Sequence, residues 1–331
     1  MAKRLATGLT LTFALLLALS AGHFYRWTEK PLAGDVLIEF PSGSSLSTLA
    51  RDLHSKGVLP SRLERAYFRL LGELDDVAGQ LQAGEYFIPD SLTPREVLAR
   101  FSQGRVITYD VTIAEGMAFW QILDALCVEP IFAALEEGCR DLTETDLDLQ
   151  LPFTEGVFLP ETYQVRRGDT PTDLLNRAHL NLLRELDKAW QTRGADLVVK
   201  TPAELLILAS IVEKESARDE DRDIIAQVFN LRLQNNMRLQ TDPTVIYALG
   251  REFDGDIKRR DLGIDSPYNT YRHKGLPPTP ISTVSVRSLR AAAMPAQTDY
   301  LYFVARGDGS SQFSRTLDEH NAAVRRYQLG Q

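Results

Sequence analysis

The segment Thr201–Ser216, TPAELLILASIVEKES, decides the fold of the larger part of this chain. Thr201, Pro202 and Glu204 form a strong helix start, because a threonine cap, a proline in the first turn and a glutamate three residues after the cap suit the free backbone amides there. The stretch that follows, Leu205–Val212, is apolar or small on every face, and a helix of this kind is buried. The sequence therefore predicts a central buried helix in a folded domain.

Two glutamates follow this apolar stretch and are candidates for acid catalysis. At about 100° per residue, Glu215 continues the column of Leu208 and Val212, whereas Glu213 continues the column of Ala209, so the two carboxyls point in different directions. A carboxyl at an apolar boundary keeps its proton more readily, which is what a general acid needs near neutral pH. The structural alternative is that the helix end is exposed and both glutamates are solvated.

Polar and aromatic groups follow in the sequence after the buried helix. A second helix is predicted over Asp221–Leu233, and the polar stretch Gln240–Asp242 precedes a helix that begins with Pro243. Capping of that helix is a sufficient structural explanation for Asp242. The segment Ser266–Tyr271 interleaves tyrosines with amide and hydroxyl groups, a composition that suits a sugar site but also a polar turn between helices.

The composition excludes several classes of function. The net charge of −8 argues against a nucleic-acid partner, because such binding runs on neutralising phosphates. The five histidines and two cysteines include no Cys-x-x-Cys and no His-Glu-x-x-His, so we expect neither a metal site nor a cofactor. The length of 331 residues predicts about two domains.

The N-terminus predicts a membrane anchor over residues 5–27, after a cytoplasmic tail of residues 1–4. Lys3 and Arg4 precede an uncharged apolar run, and the aromatic cluster His23–Trp27 closes it at the position of a membrane interface. The rest of the chain would then lie on the periplasmic side of the inner membrane. A cleavable signal peptide is the competing interpretation.

In such a compartment, Cys127 and Cys139 could form a disulfide or remain free thiols. The spacing leaves both alternatives open, and neither cysteine has a catalytic partner nearby in the sequence. We therefore treat both cysteines as structural.

The remainder divides into residues 35–109 and residues 110–331. The first part alternates short strand-like runs with helical patterns, which predicts a small α+β module for binding or positioning. The second part is predicted to be mainly helical over Phe119–Lys200. Within it, Glu155–Tyr163 reads EGVFLPETY, a loop with two carboxylates and aromatic residues that is by itself a weak indication of a site.

Several motifs, in order and in register, resemble those of the MltG (YceG-like) endolytic murein transglycosylases. Glu155–Tyr163 resembles the EGYLFPDTY-type loop of that family, with Val157, Leu159 and Glu161 as departures. The resemblance covers essentially the whole chain, including an N-terminal anchor and a LysM-like first module. The other matching motifs are Leu208–Ser216, Met237–Tyr247, Tyr268–Tyr271, Gly275–Pro278, Ala291–Ala296 and Tyr300–Ala305.

The resemblance implies an α+β protein with a transmembrane helix, a LysM-like module over 35–109 and a mixed catalytic domain over 110–331. It also implies a lyase that cleaves peptidoglycan strands between N-acetylmuramic acid and N-acetylglucosamine, leaves 1,6-anhydro-muramyl ends and ends the growth of nascent strands. The catalytic glutamate of the family corresponds to Glu215, with Glu213 as the second choice. A peptidoglycan synthase is a family-level partner.

We expect Glu215 to act first as the acid and then as the base, since the muramyl 6-hydroxyl replaces water as the nucleophile. Two other functions are possible: a glycan hydrolase with a second carboxylate, or a non-enzymatic module that positions a synthase. The residues predicted to hold the sugars or the charge are Gln240, Thr241, Asp242, Tyr268, Asn269 and Glu161.

Overall fold

The computed structural model describes residues 2–133, 139–216 and 218–330, with the side chains described from residue 11 onward. Contacts divide the chain into two compact units, Met1–Tyr109 with Gln164–Gly168, and Asp110–Tyr163 with Asp169–Gln331. Both units combine helices with short strands, which confirms the predicted α+β class. The domain boundaries and the LysM-like character of residues 35–109 stay predictions.

The first unit builds its core between a two-stranded sheet and three short helices. The strands pair antiparallel, with Ile38 opposite Tyr86. The ring of Tyr86 stacks on Phe101 at 3.9 Å between centroids, and Phe40 meets Phe101 edge-on at 5.5 Å. The elements are β1 (Val36–Phe40), α2 (Leu46–Ser55), α3 (Arg62–Leu74), β2 (Gly84–Ile88) and α4 (Pro94–Ser102). Ser45, Ser61 and Thr93 cap the three helices.

A long N-terminal helix, α1 (Ala2–Thr28), precedes this unit. The leucines at positions 11, 15, 16, 17 and 19 are exposed on it. In the part of the chain that the structure describes, no helix has the length and apolar character that a bilayer crossing requires. Trp27, at the end of the predicted anchor, is buried in the core of the first unit with its ring 5.6 Å from that of Tyr67.

The segment between Phe119 and Lys200 is less helical than predicted. Its described helices are α5 (Phe119–Leu126) and α6 (Pro171–Gln191), and the described residues between them are mostly irregular apart from a short 3₁₀ turn and a strand. Proline and glycine residues interrupt this stretch and end any helical pattern. Cys127 and Cys139 form a disulfide with their Cα atoms 5.6 Å apart, so the bonded alternative holds. The acidic stretch Glu136–Asp148, whose charge pattern favours a solvated face or loop, lies partly outside the described residues.

Two short strands, β3 (Thr108–Thr112) and β4 (Thr162–Arg166), pair with each other in a separate sheet. Each strand contains a point at which the chain passes from one unit to the other. β4 follows directly on the loop that contains Glu155.

The second unit is organised around α7 (Pro202–Glu215), which packs against α6 and against the next three helices of the chain. All side chains of Leu205–Val212 are buried, which confirms the predicted central helix. Thr201 caps it, as expected, by accepting a hydrogen bond from the Glu204 amide. The surrounding elements are α8 (Asp219–Gln234), α9 (Asp242–Leu249), α10 (Val286–Ala293), β5 (Tyr302–Ala305), β6 (Ser311–Ser314) and α11 (Leu317–Tyr327).

A polar residue in the middle of α7 fixes the segment that leads to α10. The Ser210 hydroxyl accepts from the Ile281 amide at 3.0 Å, and the Thr283 amide donates to the Met117 carbonyl at 2.7 Å. These bonds satisfy backbone groups that are buried with the segment, as buried polar groups require. The start of α10 is thereby held beside the last turn of α7.

Candidate active site

A cavity in the second unit has a volume of about 660 Å³ and contains the carboxyl of Glu215 in its wall. The end of α7, the start of α9, the β5–β6 hairpin and α11 enclose it. Gln240 and Asp242 are two of the residues that the sequence predicts for the site, and both line the cavity. Its other lining residues include Phe229, Arg232, Leu239, Tyr271, Tyr302, Ser311, His320, Asn321 and Val324.

The environment of Glu215 favours a protonated carboxyl near neutral pH. Burial raises the pKa of Glu215 to about 7, and the negative charge of Asp242 adds to the effect. A hydrogen bond from the Thr241 hydroxyl to Oε1 and the positive charge of Arg232 act in the opposite direction. A group with this pKa can both donate and accept a proton at pH 7.

A network of threonines orients the hydroxyl that contacts Glu215. The Thr241 amide donates to Thr270 Oγ1 at 3.1 Å, and Thr270 Oγ1 lies 2.9 Å from Thr244 Oγ1. The preceding residue, Gln240, has a left-handed backbone with φ of 51° and donates its amide to the Thr270 carbonyl. The turn at Gln240 therefore places Thr241 within hydrogen-bond distance of the Glu215 carboxyl. The Gln240 side chain stays exposed in the cavity.

The prediction that Asp242 caps α9 is wrong. Thr241 occupies the cap position, and Asp242 is the first residue of the helix. The Asp242 carboxylate instead accepts a hydrogen bond from the Tyr271 hydroxyl, with Oδ1 and the hydroxyl oxygen 2.5 Å apart. Burial, together with this bond, raises the pKa of Tyr271, so its hydroxyl stays a donor. Asp242 is thus an exposed negative charge held at the rim of the cavity.

Glu213 has a structural environment that differs from that of Glu215. Its Oε2 accepts from both the amide and the hydroxyl of Ser285, at 2.8 and 2.6 Å, and Arg222 lies 3.3 Å from Oε1. Burial by itself raises the pKa of Glu213, but the serine hydrogen bonds and the Arg222 charge outweigh it and hold the pKa below its usual value. This carboxylate joins α7 to the start of α10, and the geometry favours Glu215 as the acid.

Four of the residues predicted for the site do not line the cavity that contains Glu215: Thr241, Tyr268, Asn269 and Glu161. Thr241 is buried, but its hydroxyl contacts Glu215 directly. Asn269 is buried, and its side-chain amide donates to the carbonyls of Leu262 and Ile264, so it holds the turn together. Tyr268 lines a second cavity. Glu161 is exposed, and its backbone carbonyl accepts from the Ile113 amide.

Sequence reasoning missed the residues that the end of the chain contributes to the cavity. Arg232 donates to the Leu301 and Leu239 carbonyls at 2.7 and 2.6 Å, and thereby ties the start of the hairpin to the loop before α9. The His320 ring stacks on Tyr302, and its Nδ1 is buried without a hydrogen-bond partner among the described residues. The Tyr300–Ala305 motif was the only sequence signal, and it indicated no contact with Glu215.

The chain is similar to several known proteins. A model of the YceG-like family matches residues 38–326 of the chain. An endolytic murein transglycosylase of Bacillus subtilis is 33% identical over 90% of this chain and 86% of its own length. A protein of the same name from Streptococcus pneumoniae is 26% identical over 87% of this chain, which spans 58% of that relative.

A crystal structure of a YceG-like protein from Listeria monocytogenes is 30% identical, with a TM-score of 0.49 over 87% of this chain and 98% of its own. The family match covers both units of the structure and includes every residue discussed at the cavity, from Glu215 to His320. The chain therefore belongs to the YceG-like family.

Proposed function

We propose that this chain is a lytic transglycosylase that cleaves peptidoglycan strands internally, between N-acetylmuramic acid and N-acetylglucosamine. Two curated relatives carry the name endolytic murein transglycosylase. The observation that carries the proposal is the position of Glu215, a half-buried carboxyl with a pKa raised to about 7, in the wall of the 660 Å³ cavity. A cavity of this size accommodates sugar rings on either side of one bond.

In the proposed mechanism Glu215 acts twice. It first donates its proton to the glycosidic oxygen, the bond to the muramyl C1 breaks, and positive charge develops on the muramyl ring. The resulting carboxylate then takes the proton of the muramyl 6-hydroxyl as that oxygen bonds to C1. The products are a 1,6-anhydro-muramyl end and a free N-acetylglucosamine 4-hydroxyl, and no water is consumed.

Other groups at the cavity have supporting roles in this scheme. The exposed carboxylate of Asp242, held by Tyr271, places negative charge near the reacting ring. The hydroxyl of Thr241 fixes the orientation of Glu215, and the Gln240 side chain is available to sugar hydroxyls. No cofactor enters any step.

The masses of the new strand ends test the reaction. Uncrosslinked glycan strands incubated with the full-length chain should yield internal fragments that end in 1,6-anhydro-muramic acid. A hydrolase that uses Asp242 to activate water would instead give reducing ends one water heavier. Hydrated ends would therefore contradict the transglycosylase, and uncut strands would favour the positioning module.

We expect the substitution Thr241→Val to slow cleavage by up to ~10²-fold, because Glu215 loses the hydroxyl that orients it. The same change removes a hydrogen bond that lowers the pKa of Glu215, so that pKa should rise. Since the protonated form starts the reaction, the wild-type rate falls above about pH 7, and the variant's fall should begin at higher pH. Rate profiles from pH 5 to pH 9 measure both effects.

The control for this prediction is Thr244→Val. The Thr244 hydroxyl bonds to the Thr241 carbonyl and to Thr270 but does not contact Glu215. Its loss should lower stability without moving the alkaline fall in rate to higher pH. An identical pH shift in both variants would mean that general loosening of the turn sets the pH profile of the rate. The loss of the hydrogen bond from the Thr241 hydroxyl to Glu215 would then not be its cause.

We further propose that α1 anchors the chain in the inner membrane with the second unit in the periplasm, where the cut ends the growth of strands made by a neighbouring synthase. The exposed leucines between positions 11 and 19 of α1 support anchoring. The small first unit, with its two-stranded sheet and three helices, supports a LysM-like binding role. If an alkaline wash of the cell membranes released the full-length chain into the soluble fraction, that result would contradict the anchor.

A further inference from the structure

We propose that a second cavity of the same unit, with a volume of about 490 Å³, binds a sugar ring of the glycan strand at a distance from the bond that is cleaved. This inference rests on the proposed function and adds a subsite to it. The cavity is lined by Trp120, Tyr247, Ala248, Gly250, Arg251, Ser266, Pro267 and Tyr268.

Three aromatic side chains form the walls of this second cavity. The rings of Tyr247 and Tyr268 lie 4.8 Å apart at an angle of 56°, and Trp120 completes the wall from α5. The Tyr268 hydroxyl lies 2.8 Å from Thr279 Oγ1, which fixes the ring. All three rings are partly exposed. Flat aromatic faces with fixed positions suit the C–H faces of pyranose rings, as they suit other amphipathic ligands.

A cation completes the chemistry of the cavity. The Arg251 guanidinium lies 4.4 Å from the centre of the Trp120 ring, and its Nη1 is 2.9 Å from Asp124. The side chain is 62% exposed, so several of its donors face solvent. N-acetyl carbonyls and the lactyl carboxylate of muramic acid are acceptors that these donors can bind.

A buried carboxyl that the mechanism does not use holds two walls of the cavity together. Glu155 accepts from the Phe119 amide at 2.9 Å and from the Tyr247 hydroxyl at 3.0 Å. Phe119 is the residue before Trp120, so one carboxyl links the start of α5 to the tyrosine on α9. The next residue, Gly156, has φ of 72°, and a Cβ there would lie 2.7 Å from the Ser282 carbonyl. The Glu155 loop is therefore packed tightly under the cavity.

The two cavities are connected by the same two elements. Helix α9 begins with Asp242 in the Glu215 cavity and reaches Tyr247 and Ala248 in the second, an axial rise of about 8 to 9 Å at 1.5 Å per residue. The loop that carries Tyr268 into the second cavity carries Tyr271 into the first. An enzyme that cuts inside a strand must hold sugars beyond the cleaved pair, and the second cavity provides a place for one of them.

Strand binding by variants in a Glu215→Gln background tests the subsite without cleavage. We expect Trp120→Ala to weaken the binding of long, peptide-free glycan strands by about 10-fold, which is what the loss of one aromatic contact costs. Arg251→Ala, at an exposed position, should weaken it in the same direction. A short glycan fragment that reaches only the Glu215 cavity should lose much less affinity on either substitution than the long strands do.

The matched control is Trp190→Ala. Trp190 is also partly exposed and covered by an arginine, with Arg193 3.8 Å from its ring centre, but it lines neither cavity. Unchanged binding by Trp120→Ala, or equal losses for Trp190→Ala or for the short fragment, would overturn the subsite. Since binding is read without a cut, these outcomes are independent of whether the wild-type chain yields anhydro ends, which decides the proposed function.

Discussion

Replacing Glu215 by glutamine is expected to reduce glycan cleavage by about 10³-fold, within the range that general acid–base catalysis contributes. Glutamine keeps the shape of the side chain and an oxygen that can accept from Thr241, but it carries no proton that it can transfer. The carboxyl is held in a setting that penalises its charged form, so the neutral amide should not lower stability. The rate of anhydro-end formation and the melting temperature are the two measurements.

Glu204→Gln is the matched control for this substitution. Glu204 lies at the other end of the same helix, where its carboxylate accepts from the Lys200 amide, a bond that glutamine can also make. The control should retain the wild-type rate. If Glu215→Gln also cleaved at the wild-type rate with anhydro products, Glu215 would not be the acid, whatever the cavity contains.

The second large effect is on stability, and it concerns Glu213. Glu213→Gln removes the charge that faces Arg222 in a buried pair whose side chains are 5% and 8% exposed. Breaking such a pair costs several kcal/mol because the remaining charge is buried without compensation. Asp219 still faces Arg222 at 3.2 Å, so we expect a loss of about 3 kcal/mol in the free energy of unfolding. Urea unfolding at pH 7 measures it.

A double-mutant cycle separates this ion pair from general damage to α7. The variant Glu213→Gln with Arg222→Met removes both charges, and it should recover part of the stability that the single change loses. Losses that simply add would show that Glu213 acts through Ser285 alone.

Residual cleavage by the folded fraction of Glu213→Gln would agree with its structural role, whereas a folded but inactive protein would make Glu213 the acid.

The local pattern was sufficient to predict the centre of the second unit. Apolar residues on every face of Leu205–Val212 indicate burial wherever the helix lies, and all of them are buried. The helical period also indicated that Glu213 and Glu215 point apart, and they do contact different elements. These properties depend on residues that are close together in the sequence, so the sequence alone is sufficient to predict them.

The partners of those glutamates could not be predicted in the same way. Ser285 lies 72 residues from Glu213, and Thr241 lies 26 residues from Glu215. The cap assigned to Asp242 failed for a related reason, since Thr241 took the cap position and Tyr271 bound the carboxylate. Which of several suitable donors reaches a carboxylate depends on how the loops pack.

The sequence by itself determined the buried helix, the capped helix starts, the family motifs and the choice of two candidate acids, because each is encoded in residues within a few turns of one another. Only the tertiary structure decided that Glu213 forms a buried ion pair with Arg222. It also decided that the β5–β6 hairpin and α11 line the Glu215 cavity, and that Trp120, Tyr247 and Tyr268 line a second cavity. Burial and charge pairing set the pKa of a carboxyl, and both are properties of groups brought together from distant parts of the chain.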